Sequence, residues 1–219
     1  MLPASNDKNT LSLDELIYTR RSVRKYQSIS PPQEWLKELI NCAIQAPSPS
    51  NSQPVRFIRL ASEEKKKLIH DSMSIARDHL YIRIKMMGLS KKIRNKINAY
   101  FRFSEFMFDA PWLFAVGTAC TNDSGLQASL LEAGLSDKSP SDTNNDISVG
   151  LAIQSFLLKA TELGLGTCIL SAPLVFAPEI EKMPDFSHIK IKCFIAAGFS
   201  DETPTSPPRK SFFDIYSEI

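Results

Sequence analysis

The chain has 219 residues and a formal net charge of +2, and 43% of its residues are hydrophobic and 23% charged. This composition is typical of a globular protein with one core, and the balanced charge does not favour nucleic acid as a partner. No apolar run approaches the roughly 20 residues that a membrane span needs, so we expect no membrane partner.

The cysteines and histidines argue against a metal site. Four cysteines (Cys42, Cys120, Cys168 and Cys193) lie far apart without a CxxC pair, and the three histidines lack the spacing of metal ligands. The chain also begins without a basic segment followed by an apolar run, the pattern of a secretory signal. We therefore expect a cytoplasmic protein with neither disulfides nor a structural metal.

Helix signals are clear in the first fifty residues. Ser12, with Glu15 three positions later, forms a capping box that predicts the start of a helix. The stretch SPPQ at residues 30–33 predicts a second start, and Pro47 must end that helix because it has no amide hydrogen. The polar loop APSPSNSQP follows, and VRFIRL is then a predicted strand.

Residues 62–108 are predicted to be helical and have an unusual composition. From Arg77 to Arg102 there are eight Lys or Arg residues and one acid, Asp78, and the segment ends in the aromatic run FRFSEFMF. WLFAVGTA then predicts a buried strand. Residues 121–146, rich in Ser, Asn and Asp, predict a mostly exposed connection.

The clearest helix is DISVGLAIQSFLLKATELGLG, which Gly164 should end. Apolar residues recur in it at the spacing of one buried helix face: Val149, Ala152, Ile153, Phe156, Leu157 and Ala160. TCIL and IKIKCFIAAG are strand candidates, whereas the proline-rich end TPTSPPRKSFFDIYSEI is not expected to form a compact element. Helices that alternate with a few strands predict an α/β or α+β protein.

The segment RRSVRKY, residues 20–26, concentrates positive charge in a nearly neutral chain. Cations at a helix end complement the negative pole of the helix, which accounts for one or two of them. The alternative is an anion site, because Arg offers a fork of donors that matches phosphate oxygens and Ser22 adds a neutral donor. The chain has eight glycines and no GxGxxG or P-loop motif, which argues against a nucleotide site of either kind.

RRSVRKY is followed in order by APSPSNSQP, GLGTCILSAP and PPRK. From about residue 12 to about residue 212, this order and spacing resembles the FMN-dependent nitroreductase family. The resemblance implies an α+β, three-layer fold with a mixed, mostly antiparallel sheet flanked by helices, in an intertwined homodimer. It also implies one domain over residues 12–215, with a basic, aromatic-rich helical insertion around 77–108 and a tail at 199–219.

The resemblance further implies a set of FMN-binding residues. Arg20, Arg21 and Ser22 would lie at the phosphate and the ribityl chain, and Arg209 would reach the same phosphate. Arg24 would approach the N1/O2 edge of the ring, where a cation stabilises the charge of the reduced flavin.

Two further segments would contact the flavin ring. The loop of the second subunit would contribute Pro47, Ser48, Pro49, Asn51 and Gln53. The turn after TCIL would contribute Ser171, Ala172, Pro173 and Leu174. From composition alone, the loop is better explained as a helix stop followed by a turn. PPRK is equally well explained as part of a solvated tail.

We expect NADH or NADPH to donate hydride to the flavin, which would then reduce a small electron-poor acceptor such as a nitroaromatic or a quinone. This is a ping-pong mechanism without a catalytic side chain. Dehalogenation, enone reduction or oxidation of a peptide-derived substrate are alternatives, because residues 77–108 have no match in the family. The phenylalanines at 101, 103, 106 and 108 could wall the substrate pocket or belong to the core. A non-catalytic flavin- or anion-binding protein, with 77–102 as a basic surface for nucleic acid or anionic lipid, is the remaining alternative.

Overall fold

The computed structural model describes residues 11–120, 126–136, 142–177 and 180–219. Expectations about the start of the chain, and about residues 121–125 and 137–141, lie outside these ranges. Within them the chain forms seven helices and four strands. In chain order these are α1 (Leu13–Thr19), α2 (Glu34–Ile44), β1 (Val55–Arg59), α3 (Glu63–Met86), α4 (Lys91–Glu105), β2 (Trp112–Ala119), α5 (Leu126–Glu132), α6 (Thr143–Glu162), β3 (Gly166–Leu170), α7 (Pro173–Phe176) and β4 (Ile189–Gly198).

The four strands form one sheet in the order β1-β2-β4-β3, and each neighbouring pair is antiparallel. The register between β2 and β4 shifts between Val116 and Gly117. A Cβ atom at Gly117 would lie 2.1 Å from the carbonyl oxygen of Lys190, so only glycine fits at this bulge. β1 and β3 are therefore the edge strands, and segments that adjoin β1 lie at the opposite edge of the sheet from segments that adjoin β3.

Helices cover both faces of the sheet. Side chains along β2 alternate between two cores, as the strand period of two requires. Trp112 and Phe114 belong to the core formed with α2 and α6. Leu113 and Ala115 belong to the core formed with α3, α4 and α7. The α+β, three-layer fold expected from the resemblance is therefore confirmed.

α6 is the central helix of one layer, and its predicted apolar row is buried throughout. Phe156 is fully buried, with its ring 5.4 Å from the rings of both Phe57 and Phe114. Gly164 ends the helix at a φ of 77°. The amide of Leu165 donates to the carbonyl of Ala160 at 2.8 Å, which completes a Schellman motif.

The start of α2 differs from the prediction. The helix begins at Glu34, and Gln33 is its N-cap without a side-chain hydrogen bond. A residue that precedes proline is disfavoured in the helical region, so Pro31 cannot enter the helix in front of Pro32. The first helix does have the predicted capping box of Ser12 and Glu15.

The connection at residues 121–146 is mostly exposed where it is described, as predicted, but it contains helical residues that the prediction lacked. Residues Leu126–Glu132 form α5, and α6 begins at Thr143, three residues earlier than the predicted helix. α5 consists largely of good helix formers, and the Ser, Asn and Asp residues around it masked this local preference.

The segment 62–108 is helical as predicted and is divided into two helices, α3 and α4. α3 and α4 are joined by a tight turn at residues 87–90, where Gly88 has a φ of 62°. Phe101 is buried in the core and Phe103 is exposed, while Phe106 and Phe108 pack partly buried against the core. Among the described helices, none combines the length and apolar character needed to span a bilayer.

Candidate functional site

The basic segment lies beside β3, outside the edge of the sheet. The amide of Val23 donates to the carbonyl of Thr167 at 2.9 Å, and Ser22 pairs with Thr167 in a parallel bridge. The amide of Gln27 donates to the carbonyl of Phe199 at 2.9 Å. Backbone hydrogen bonds therefore hold residues 22–27 between β3 and the chain that leaves β4.

Val23 packs closely over Gly166, the first residue of β3. A Cβ atom at Gly166 would lie 2.6 Å from a methyl carbon of Val23, well inside van der Waals contact. The absence of a side chain at Gly166 thus lets the basic segment approach the strand.

Arginines from distant parts of the chain line one cleft of about 470 Å³. The N-terminal segment contributes four residues, and the stretch after β4 contributes the rest. The lining residues are Arg20, Arg21, Ser22, Arg24, Glu202, Pro204, Thr205, Pro207 and Arg209. The structure therefore brings together the five residues that the family resemblance implies for a phosphate and the nearby flavin edge.

The positive charge of this cleft is largely uncompensated. None of the ion pairs between described residues includes Arg20, Arg21, Arg24 or Arg209. Burial, then repulsion from Arg209 and Arg21, lowers the pKa of Arg20, which still stays protonated at neutral pH. One guanidinium nitrogen of Arg21 donates to the carbonyl of Arg20 at 2.7 Å, so this side chain also stiffens the segment. A cleft lined by guanidinium groups without ion-pair partners favours the binding of an anion.

Glu202 is a lining residue that the sequence analysis missed. Its carboxylate accepts hydrogen bonds from the backbone amides of Arg24 and Lys25. The carboxylate therefore fixes the backbone that carries Arg24 instead of neutralising a guanidinium group. An acid after a strand gives no sequence signal for this role, because its partners are backbone atoms of a distant segment.

A buried thiol lies behind the cleft. Burial raises the pKa of Cys168, although Arg24 and a hydrogen bond with Ser22 oppose this shift. Cys168 therefore stays a neutral thiol, and its apolar packing supports the segment that carries the arginines. Among the described residues, no group of His, Cys, Asp and Glu is arranged to hold a metal ion.

The segment Ser171–Leu174 continues directly from β3. The amide of Leu174 donates to the carbonyl of Ser171 at 3.1 Å, which turns the chain into α7. Ser171 is exposed and Pro173 is buried. Since β3 lies next to the basic segment, Ser171–Leu174 lies at the same edge of the sheet as the arginine cleft.

The loop at residues 47–53 has an unusual backbone. Ser50, Asn51 and Gln53 have φ values of 51°, 54° and 45°, a region that residues other than glycine rarely adopt. The hydroxyl of Ser48 accepts from the amide of Gln53 at 2.9 Å and holds the turn closed. Backbone strain of this kind costs about 1–3 kcal/mol per residue and clusters at functional sites. The sequence did not predict it, since no glycine marks these positions.

Within one chain the loop does not reach the arginine cleft. It leads into β1, one edge of the sheet, whereas the cleft lies beyond β3 at the other edge. Three strand spacings separate these edges by about 14 Å. None of the residues that line the cleft comes from residues 47–53. Within one chain, the loop and the cleft therefore lie at opposite edges of the sheet.

The nitroreductase family model matches residues 17–199, so the chain belongs to the nitroreductase family. Members of this family are flavin oxidoreductases. The match covers the basic segment, the loop and the turn after β3, but not Arg209.

Individual relatives differ in their reactions. The chain is 25% identical to an iodotyrosine deiodinase of Thermotoga neapolitana, over 94% of this chain and 97% of the relative. It is 26% identical to a 4-nitrobenzoate reductase of Nocardioides sp., over 87% and 81% of the two chains. Its fold is similar to that of a BluB-like flavoprotein from Clostridium difficile 630, with a TM-score of 0.79, 25% identity, and 95% and 99% coverage. The family membership indicates a flavin oxidoreductase, and the different reactions of these relatives leave the acceptor unassigned.

The close contact between Val23 and Gly166 allows a test of whether the packing of the basic segment against β3 positions the arginines of the cleft. Gly166→Ala should force Val23 outward and cost about 1–3 kcal/mol of stability. It should also weaken FMN binding, since the adjacent arginines move with the segment. Thermal unfolding and FMN titration measure the two effects. Adding Val23→Ala removes the two methyl contacts but leaves the Val23 Cβ atom 2.7 Å from the new Cβ atom, so it should restore stability and FMN binding only in part. Unchanged FMN affinity in the single variant would contradict this account of the segment.

Proposed function

We propose that this protein is a homodimeric, FMN-dependent oxidoreductase that takes hydride from NADH or NADPH and reduces an electron-poor small molecule. The observation that carries the proposal is the cleft in which Arg20 and Arg209 converge. Nitroaromatics and quinones are the proposed acceptors, and the similarity to a 4-nitrobenzoate reductase supports a nitro group.

The cleft suits the phosphate of FMN in charge and in donors. Arg20 and Arg209 offer two guanidinium groups that have no carboxylate partners among the described residues. The Ser22 hydroxyl also lines the cleft and would donate to the phosphate by turning away from the Cys168 thiol. When bound, FMN would supply a ring that accepts a hydride at N5 and passes two electrons to an acceptor. Arg24, held by Glu202 through its backbone, would place a positive charge beside the ring edge and favour its reduction.

A second subunit would complete the ring site. Pro47, Ser48, Pro49, Asn51 and Gln53 of the partner would then meet the arginine cleft and Ser171–Leu174 of the first chain. The tail supports a dimer as well, because Phe212, Phe213 and Ile215 are 64%, 87% and 74% exposed in a single chain. Clustered apolar side chains of this size usually mark an interface.

Reductive dehalogenation is the second candidate reaction. The observation in its favour is the similarity to an iodotyrosine deiodinase over 94% of this chain. Both reactions would use the same flavin site and differ in the acceptor that stacks on the ring.

An absorbance spectrum tests the cofactor, and turnover tests the reaction. We expect a yellow protein whose flavin absorbance bleaches when NADH or NADPH is added without oxygen. 4-Nitrobenzoate, a quinone and iodotyrosine should then be compared as acceptors that restore the colour. A protein that stays colourless after incubation with FMN would contradict the cofactor. Restoration by iodotyrosine but not by 4-nitrobenzoate or the quinone would favour dehalogenation.

A further inference from the structure

Apolar side chains are exposed at and beside the turn that joins α3 and α4, the tip of this helical hairpin. Met86 and Met87 are 81% and 64% exposed, and Ile82 is 56% exposed. Leu89, in the connection between the helices, is 42% exposed, and Ile93, in the first turn of α4, is 41% exposed. We call these five residues the apolar tip. Side chains of this kind are normally buried, so their clustering calls for a partner.

Cations surround the apolar tip. Arg83 and Lys85 lie in the last turn of α3, and Lys91, Lys92 and Arg94 lie in the first turns of α4. All five are exposed. None of them joins an ion pair between described residues, and the sequence has no acid between Asp78 and Glu105.

The charges and the apolar side chains share one surface. A shallow groove of about 410 Å³ is lined by Lys85, Lys91 and Arg94 together with apolar residues of the same turn, among them Ile82 and Leu89. Arg94 also lies over the Tyr81 ring at 5.0 Å, which keeps its charge at the groove. A partner that fits must therefore be anionic at its surface and apolar beneath.

We propose that the hairpin tip docks on an anionic lipid bilayer. The lysines and arginines would contact the headgroups, and the apolar tip would enter the boundary with the acyl chains. Nucleic acid fits less well, because its phosphates offer nothing to the two methionines. A second hairpin tip also fits less well, because it carries the same charge. The expectation of no membrane partner came from the lack of a spanning segment, which docking of this kind does not need.

Co-sedimentation with vesicles tests the proposal. The full-length protein should bind vesicles of phosphatidylcholine mixed with phosphatidylglycerol, and not vesicles of phosphatidylcholine alone. Binding should weaken as salt rises, because the attraction to the headgroups is screened. Lys91→Gln with Lys92→Gln should weaken binding about 25-fold at low salt, at about fivefold for each lysine. The matched control, Lys37→Gln with Lys67→Gln, removes the same charge away from the hairpin tip and should bind as the unmodified protein does.

The methionines separate lipid from the other partners. Met86→Ser with Met87→Ser should weaken vesicle binding at least tenfold while leaving the charge unchanged. Sedimentation velocity and binding of a short DNA duplex should be measured on the same variants. A changed oligomeric state in the methionine variant would identify the tip as a subunit interface and overturn the proposal. Failure of the full-length protein to bind anionic vesicles would also overturn the proposal. DNA binding that is weakened by the lysine substitutions and not by the methionine substitutions would overturn it as well.

Discussion

Replacing Arg20 and Arg209 together by alanine is expected to lower the affinity for FMN about 10²- to 10⁴-fold, since each charge-assisted contact contributes roughly 1.5–3 kcal/mol. Both side chains line the same cleft, and neither has a carboxylate partner among the described residues. The FMN phosphate would therefore lose two charged contacts at once. Titrating FMN into the apoprotein, with flavin fluorescence as the signal, measures the loss directly.

The fold should survive this double substitution. Burial and then the charge of Arg209 lower the pKa of Arg20, and the second effect reflects repulsion between the two guanidinium groups when no anion is bound. We expect an unchanged unfolding temperature for the apoprotein and a smaller rise on adding FMN. Lys37→Ala with Arg102→Ala removes the same charge outside the cleft and should bind FMN normally. Equal losses in the two variants would mean that net charge, and not this cleft, governs binding.

Replacing Phe213 and Ile215 by serine is expected to convert the proposed dimer into monomers. Both side chains are largely exposed in one chain, so the substitutions remove nothing from either core. Burying each of them at an interface would contribute about 1.5–3 kcal/mol, and a symmetric dimer contains every contact twice. Sedimentation velocity should report the monomer, with FMN bound weakly because the partner's loop is lost.

A conservative double substitution at the same two positions serves as the control for the serine variant. Phe213→Leu with Ile215→Val keeps the tail apolar and should remain dimeric. Two outcomes would contradict the assignment of the tail to the interface: a serine variant that stays dimeric, or an unmodified protein that binds FMN as a monomer.

Local patterns in the sequence predicted the core elements well. The apolar row of α6 from Val149 to Ala160 was recognisable because apolar residues recur every three or four positions on a helix face that packs against a sheet. β2 was recognisable as an apolar run of strand length, and β4 as an alternation of Ile and Lys that continues into an apolar run, since both strands are largely covered on two faces. The start of α2 was missed because a cap signal was given more weight than the restraint that Pro32 places on Pro31.

The candidate site depends on long-range contacts that local patterns do not contain. The resemblance predicted that Arg20 and Arg209 would converge, and the structure has both in one cleft. The means of holding them there was not predictable. Glu202 binds backbone amides, Gly166 makes room for Val23, and the loop at 47–53 adopts positive φ angles without glycine. Each of these features depends on where a distant or neighbouring backbone lies, and not on a repeating pattern of residue types.

Comparing FMN with riboflavin as ligands of the unmodified protein tests the central claim most directly, because the two differ only in the phosphate. If the arginines of the cleft hold that phosphate, FMN should bind at least about 100-fold more tightly than riboflavin, given roughly 1.5–3 kcal/mol for each of two charged contacts. Equal affinities for the two flavins would contradict the account.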